Sequence, residues 1–221
     1  MKERVNILYI HGMGGGSESR IPSILKEALA SDESVRIIVR TYDFDPEIAS
    51  CQIALWIDEL RPSLIIGESL GSIHALRFSS DIDVPCLLVS PALNTPLYFG
   101  LLCWLAFIPG VTAYLDRIYK PEDGDRQKLH FTFSVLRKYL RHRRRAFKSV
   151  EGCLKRNPSQ RYFAFFGTID HYRKSGIVSV RTWKKHFGNS FELYEGTHFM
   201  EDEYVLSMLL PKLCMMLNDK K

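Results

Sequence analysis

The stretch Leu64-Ile65-Ile66-Gly67-Glu68-Ser69-Leu70-Gly71 decides the fold of this chain. Its apolar first part is typical of a buried strand, and apolar residues recur at helical spacing after it, at positions 70, 73, 76 and 78. The Gly-x-Ser-x-Gly pattern between them is typical of a sharp turn that presents the serine hydroxyl, with glycines that let strand and helix approach closely. The stretch therefore predicts a strand, a tight turn and a helix, with Ser69 offered to a substrate. A turn of this shape without any chemistry is the alternative.

The composition indicates one domain. The 221 residues are 46% hydrophobic and carry a net charge of +5, without a break in composition, so we expect a single α/β domain over residues 1–221. The opening passes directly into the apolar run 5–10, which leaves no room for a secretory leader. The five cysteines are odd in number and include no Cys-x-x-Cys pair. These features predict a cytoplasmic protein with reduced thiols and with no metal or cofactor.

Strand-like and helix-like segments alternate along most of the chain. A strand, a helix and another strand in this order are typical of a parallel sheet wound on both faces. The six strand candidates are residues 5–10, 35–41, 63–66, 83–89, 161–166 and 191–194. Between the last two, residues 172–187 are predicted to form one helix.

The alternation breaks between the fourth and fifth strands. About 65 residues stand there in place of the roughly 20 that one crossover helix needs, so we expect a helical insertion over residues 95–157. Its first part, 97–115, approaches the length and apolarity of a transmembrane helix but is interrupted by Pro109-Gly110. A lid over the site is the favoured interpretation, with membrane spanning and weaker lipid-surface association as alternatives.

The second part of the insertion, 127–157, is predicted to be helical and basic. Residues 137–148 hold seven Lys or Arg and no acidic residue. A solvated helix face is favoured over nucleic-acid binding, because aromatic residues are not interleaved with the charges as base stacking requires.

A glycine-rich turn follows the first strand, in the segment His11-Gly12-Met13-Gly14-Gly15-Gly16. Such turns can cradle phosphates, but this one fits neither the dinucleotide fingerprint nor the lysine-bearing P-loop. His11 is predicted to hold the loop by hydrogen bonds, and a role as a base is the alternative.

These motifs resemble those of the α/β-hydrolase superfamily, whose enzymes carry a nucleophile elbow like that at Ser69, followed by an acid and then a histidine. The resemblance covers nearly the whole chain, although the sheet begins where fuller members have their third strand. It implies a small hydrolase that lacks the N-terminal hairpin, with the strand order 2-1-3-4-5-6. It also implies an H-G-type loop at residues 11, 12 and 14, in which the backbone N–H groups of Met13 and Leu70 bind an oxyanion.

Asp170 and His198 complete the set of catalytic candidates. Asp170 follows the Phe-rich fifth strand, where parallel sheets build their sites. His198 lies on the loop after the last strand, the place of the histidine in the hydrolases that this chain resembles. Other acidic residues, which lack a preceding strand, are Asp116, Asp123, Asp125 and Asp202.

The expected function is hydrolysis of a carboxylic ester or thioester with a small to medium acyl group, by a serine nucleophile through an acyl-enzyme. In the apolar insertion, Trp104 and Phe107 are predicted to line the substrate pocket. The expected partner is a small molecule and not a nucleic acid. Serine peptidases and acyltransferases use the same constellation, and a non-catalytic binding protein of the same fold is a further alternative.

Overall fold

The computed structural model describes residues 4–119 and 124–218. Its centre is one sheet of six strands, all paired in parallel, in the order β2-β1-β3-β4-β5-β6. The doubly wound fold class and the strand order predicted from the sequence are both confirmed. The strands are β1 (Val5–Ile10), β2 (Val35–Val39), β3 (Leu64–Glu68), β4 (Cys86–Val89), β5 (Tyr162–Gly167) and β6 (Phe191–Tyr194).

Ten α-helices within the described ranges flank this sheet. They are α1 (Arg20–Ala28), α2 (Pro46–Leu60), α3 (Ser72–Asp81), α4 (Thr95–Leu105), α5 (Val111–Ile118), α6 (Phe133–Arg156), α7 (His171–Ser175), α8 (Val180–Phe187), α9 (Asp202–Tyr204) and α10 (Leu210–Asn218). A 3₁₀ turn (Ser69–Gly71) precedes α3, and a π turn (Val205–Leu209) joins α9 to α10.

The central strands are apolar throughout because both of their faces are covered. Alternate residues of β1 and β3 point to opposite faces and enter two separate cores. Helices α2, α3 and α6 pack against one face, whereas α1 and α10 pack against the other. The carboxyl ends of all six strands therefore meet at one edge, where the loops that carry the candidate residues lie.

The predicted helical insertion follows β4 and consists of α4, α5 and α6. The chain turns between α4 and α5 at Gly110, whose φ of +86° suits glycine, and this turn divides the apolar segment 97–115. Residues 120–123 of the predicted lid, which include Asp123, lie outside the described residues. Among the helices of the described ranges, none is long and apolar enough to cross a bilayer.

One helix expected from the sequence is two helices in the structure. The segment 172–187 was predicted to be continuous, but α7 ends at Ser175 and α8 begins at Val180. Gly176 adopts a φ of +78°, and this left-handed residue stops the first helix as a C-cap. The carbonyl oxygen of Gly176 then accepts a hydrogen bond from the Asn94 side chain (2.9 Å), which ties the break to the loop after β4.

Candidate active site

Ser69 directly follows β3 and has a φ of +48°, in the left-handed region that a serine seldom occupies. The flanking glycines explain how so tight a turn fits. A Cβ at Gly67 would lie 2.5 Å from the Cβ of Ala75, and one at Gly71 would lie 2.2 Å from the carbonyl oxygen of His11. Any side chain at either position would push α3 away from the sheet. The strained turn leaves Ser69 on the wall of a large cavity.

Ser69, His198 and Asp170 form one line of hydrogen bonds. The Oγ of Ser69 lies 2.8 Å from Nε2 of His198, and Nδ1 of His198 lies 2.8 Å from Oδ2 of Asp170. The carboxylate is an acceptor, so the proton of the neutral ring belongs on Nδ1, and Nε2 is then free to accept from the serine hydroxyl. A hydroxyl, a base and an acid that orients the base are thus brought together from three different loops.

The loops after β5 and β6 are held together by their backbones. The N–H groups of Thr168 and Ile169 donate to the carbonyl oxygens of Tyr194 (2.8 Å) and Gly196 (3.1 Å), which continues the pairing beyond the strands. This brings Asp170 against the loop that carries His198. The second oxygen of Asp170 accepts from the N–H of Tyr172 (2.8 Å), so the same carboxylate caps α7.

The glycine-rich loop lies beside the serine. A Cβ at Gly12 would be 3.1 Å from the Cβ of Ser69. The N–H of Gly15 donates to the carbonyl oxygen of Gly12 (3.1 Å), and Gly14, the third residue of this turn, has a φ of +74°, as in a type II turn. Met13 and Leu70, the predicted oxyanion donors, both line the cavity that Ser69 faces.

His11 is fully buried behind this loop. Its Nδ1 donates to the carbonyl oxygen of Gly12 (2.8 Å), and its ring stacks on Tyr42 at 4.3 Å between centroids. The hydroxyl of Tyr42 donates back to the carbonyl oxygen of His11 (2.6 Å). Burial lowers the pKa of His11 to about 4, so the ring is neutral at physiological pH. These contacts suit a residue that shapes the loop, whereas His198 is the histidine hydrogen-bonded to Ser69.

Solved structures match nearly the whole chain. A structure of Est1E from Butyrivibrio proteoclasticus with bound ferulic acid has a TM-score of 0.65 at 16% identity, over 99% of this chain and 91% of that one. MGS-MChE2, an α/β hydrolase from the metagenome of lagoon sediments, has a TM-score of 0.59 at 10% identity, over 99% and 92%. The chain has the α/β-hydrolase fold. A carboxylesterase structure from the thaumarchaeon Nitrososphaera gargenis matches at a TM-score of 0.58 and 14% identity, over 99% and 93%.

These similarities concern the fold alone, because the sequence identities are low. A scan against models of protein families finds no match, and no curated protein matches by sequence.

In this α/β-hydrolase fold, the site opens into a cavity of about 890 Å³, within the size range of small-molecule sites. The apolar part of the cavity lining comes mainly from α4, through Phe99, Leu101, Leu102 and Leu105. The lining also includes four charged residues, namely Glu18, Arg20, Glu68 and Arg126. Ser69 lines the same cavity, so a bound substrate would meet both apolar and charged groups.

The predicted pocket residues Trp104 and Phe107 are placed differently from the prediction. They lie on the outer side of the insertion with 68% and 63% of their surfaces exposed, and they pack against Phe133 of α6. Helix α4 does contribute to the cavity lining, but through side chains other than Trp104. Leu102 and Leu105 turn towards the cavity because Phe99 and Cys103, one turn away, anchor the inner face in the core.

Gln127 holds the glycine-rich loop, and sequence analysis did not find it. Its Oε1 accepts from the N–H of Gly14 (3.1 Å), and its own N–H donates to the carbonyl oxygen of Gly15 (2.7 Å). Gly16 also pairs with Arg126 in an isolated antiparallel bridge. The segment between α5 and α6, in the middle of the insertion, is thus attached to the predicted oxyanion loop. No sequence signal for this exists, because the partners lie more than a hundred positions apart.

Glu68 is a second residue of the site that the sequence did not identify. It fills the variable position before Ser69 and lines the cavity, and its Oε2 accepts from the hydroxyl of Tyr9 (2.6 Å). Burial raises the pKa of this carboxyl, and the Tyr9 hydrogen bond opposes the rise. A charged residue inside an otherwise apolar strand was the available signal.

The other candidates for the catalytic acid that the structure describes bind partners other than His198. Asp116 accepts from the N–H of Phe131 (3.2 Å), Asp125 accepts from the hydroxyl of Ser17, and Asp202 pairs with Arg20. Among the described residues, Asp170 is therefore the carboxylate that contacts His198.

The basic run on α6 is not uniformly solvated. Arg143 is half-buried, and its guanidinium donates to the carbonyl oxygen of Leu93 (2.7 Å) and to Oδ1 of Asn94 (3.0 Å). Lys138 pairs with Asp45 (2.5 Å). The sequence interpretation of a solvated face therefore holds for the other cations of the run, while these two attach α6 to neighbouring segments.

Proposed function

We propose that this protein is a serine hydrolase that cleaves a carboxylic ester or thioester with a small to medium acyl group. The observation that supports this most directly is the line of two 2.8 Å hydrogen bonds from Ser69 through His198 to Asp170. The nucleophile also lies on a strained turn at the wall of a cavity large enough for a substrate. Est1E was solved with ferulic acid bound, and other structural neighbours are described as carboxylesterases.

In this proposal, Oγ of Ser69 attacks the carbonyl carbon while Nε2 of His198 takes its proton. Asp170 stabilises the resulting imidazolium and keeps the ring in the required orientation. The tetrahedral intermediate then collapses, and His198 gives the proton to the leaving alcohol or thiol. A water molecule, deprotonated by the same ring, hydrolyses the acyl-enzyme and releases the acid.

The backbone N–H groups of Met13 and Leu70 would receive the oxyanion of each tetrahedral intermediate. Donors that are fixed before the reaction stabilise the developing charge without having to reorganise. One such donor lowers the activation barrier by on the order of 3 kcal/mol. The tight packing of the glycine-rich loop on Ser69 and its attachment to Gln127 support this role.

The acyl group would lie on the apolar part of the cavity lining, against Leu102 and Leu105. Each buried methylene contributes about 0.8 kcal/mol, so a preference for medium chains over acetyl is expected. The charged residues of the cavity lining would then contact the alcohol or thiol part of the substrate. With all five cysteines free, we also propose a cytoplasmic location.

Labelling with a fluorophosphonate probe tests the nucleophile. Wild-type protein should be labelled and should hydrolyse p-nitrophenyl esters, and Ser69→Ala should lose both. Ser72→Ala is the matched control, because Ser72 is buried three residues away and its hydroxyl has no partner among the described residues. Comparable labelling of Ser69→Ala would refute the proposal, and a folded wild-type protein without labelling or turnover would favour a non-catalytic binding protein.

Product analysis distinguishes an esterase from a peptidase and from an acyltransferase. Hydrolysis of an ester with no cleavage of the matching anilide supports the esterase over a peptidase. Transfer of the acyl group to an added alcohol in preference to water would instead identify an acyltransferase.

A further inference from the structure

The segment that holds α4 and α5 exposes several large apolar side chains. On α4, residues spaced three or four positions apart turn outwards, with Leu101 exposed by 71% and Trp104 by 68%. Other members on and after α4 and on α5 are Leu97, Phe107, Ile108, Tyr114 and Ile118. We call these seven residues the lid patch. An exposed set of this kind usually marks an interaction surface, since soluble proteins rarely leave so many large apolar residues together in water.

The lid patch has almost no charge of its own. In the sequence 95–119, Asp116 and Arg117 are the charged residues. One carboxylate oxygen of Asp116, which is exposed, accepts the N–H of Phe131 (3.2 Å). Within the described segment 95–119, Asp116 is therefore the one acidic group, and Arg117 beside it balances its charge.

A basic stripe begins where the lid patch ends. The ring of Phe133 lies 4.6 Å from that of Phe107, and the guanidinium of Arg137 lies 5.8 Å from the ring of Phe133. Arg144 and Lys148 follow Arg137 on the same face of α6, at spacings of seven and four residues. From Arg137 to Lys148 the stripe extends about 16 Å along the helix.

The cations of this stripe are available to a partner. Arg137, Arg144 and Lys148 are exposed, and no carboxylate of the described residues lies within ion-pairing distance of them. Arg141, on the same face, keeps 60% of its side chain exposed and reaches Glu47 only at 3.5 Å. The stripe is therefore an uncompensated positive surface next to an uncharged apolar one.

We propose that the lid patch and the basic stripe together dock the protein on an anionic lipid surface. Aromatic and aliphatic side chains of the patch would enter the boundary between headgroups and acyl chains, and the stripe would contact the anionic headgroups. A second copy of the chain would bring its own positive stripe with its patch, whereas an anionic bilayer complements both. The docking would be peripheral and reversible.

Docking in this orientation would place the mouth of the cavity at the bilayer. Leu101 of the lid patch and its neighbour Leu105 are both partly exposed to solvent and also line the cavity that contains Ser69. An apolar ester dissolved in the membrane could then reach the apolar part of the cavity lining without crossing water. This consequence rests on the proposed function, but the docking itself does not.

Co-sedimentation with vesicles tests the docking. The full-length protein is mixed with vesicles of phosphatidylcholine alone or of phosphatidylcholine containing one third phosphatidylglycerol, and the bound fraction is measured as a function of lipid concentration. Wild type should bind the anionic vesicles, with an affinity that falls as salt is added, and should bind the neutral vesicles much more weakly. Absence of binding to the anionic vesicles would overturn the proposal.

Two sets of variants separate the two parts of the surface. Trp104→Ser with Phe107→Ser should weaken binding at least tenfold, and Leu55→Ser, which alters an equally exposed apolar residue on α2, should not. Because the first variant also loses contacts with Phe133, its fold is checked by circular dichroism and thermal unfolding.

The second set changes charge alone. The variant Arg137→Gln, Arg144→Gln and Lys148→Gln should weaken binding about fivefold per cation, on the order of a hundredfold together. The matched control neutralises three exposed cations on other elements, Lys26, Arg36 and Lys185, and should lose much less. Equal losses would show that only net charge matters and would overturn the docking surface. So would a dimer in solution that becomes monomeric in the patch variant while vesicle binding is absent.

Discussion

The packing of α6 on α3 predicts a loss of stability in mild acid. His142 of α6 is buried against His74 of α3, with ring centroids 4.2 Å apart. Burial lowers the pKa of His142 to about 3, and the nearby positive charges of Arg77 and Arg145 act in the same direction. Neither ring nitrogen of His74 nor Nε2 of His142 has a hydrogen-bond partner among the described residues. The folded protein therefore keeps His142 neutral where the unfolded chain would protonate it.

The magnitude follows from proton linkage. In the unfolded chain a histidine has a pKa of about 6.5, so lowering the pH from 7.5 to 5 protonates the unfolded state and not the folded one. Stability is thus fully present above pH 6.5 and is lost as the pH falls towards about 3. At pH 5 the loss from His142 is about 2 kcal/mol, and this figure does not change if the folded pKa is lower still.

Urea unfolding at the two pH values measures the effect. The drop in unfolding free energy from pH 7.5 to 5 should be about 2 kcal/mol smaller in His142→Leu than in wild type. Phe147→Leu, a buried change on the same helix, should lower stability by a similar amount at both pH values and leave the drop unchanged. An unchanged drop in His142→Leu would show that the buried ring takes up its proton within the folded state, and the reasoning would fail.

Three further predictions concern the site. Asp170→Asn should lower kcat for a p-nitrophenyl ester by about 10⁴-fold with little change in KM, and a loss below tenfold would assign the acid to another residue. Gln127→Met should weaken the binding of a trifluoromethyl ketone, which mimics the tetrahedral intermediate, by at least tenfold more than that of substrate. The control Gln52→Met, which removes an acceptor of the Asp43 N–H, should not weaken inhibitor binding more than substrate binding. An equal effect of the two substitutions would contradict a positioning role for Gln127. Leu102→Ala should reduce the advantage of hexanoyl over acetyl esters in kcat/KM by roughly tenfold, whereas equal losses for both would indicate packing alone.

The local pattern of the sequence was sufficient for the framework of this protein. Short apolar runs identified the strands, and the alternation with helical segments predicted a parallel sheet, because parallel neighbours need a crossover connection, which is usually a helix. The strand order was predicted through the resemblance and is confirmed. Once the sheet is parallel, residues that follow its strands must meet at one edge. Ser69, Asp170 and His198 could therefore be grouped before any distance was known.

The tertiary structure decided what each segment faces. An apolar helix such as α4 has side chains on every side, and only its packing on the core through Phe99 and Cys103 turned Leu102 towards the cavity and Trp104 towards solvent. The contact of Gln127 with Gly14 and the separation of Arg143 from its exposed neighbours are equally invisible in sequence. Periodicity describes how residues are arranged around one element, whereas the direction in which that element turns depends on partners that are distant along the chain.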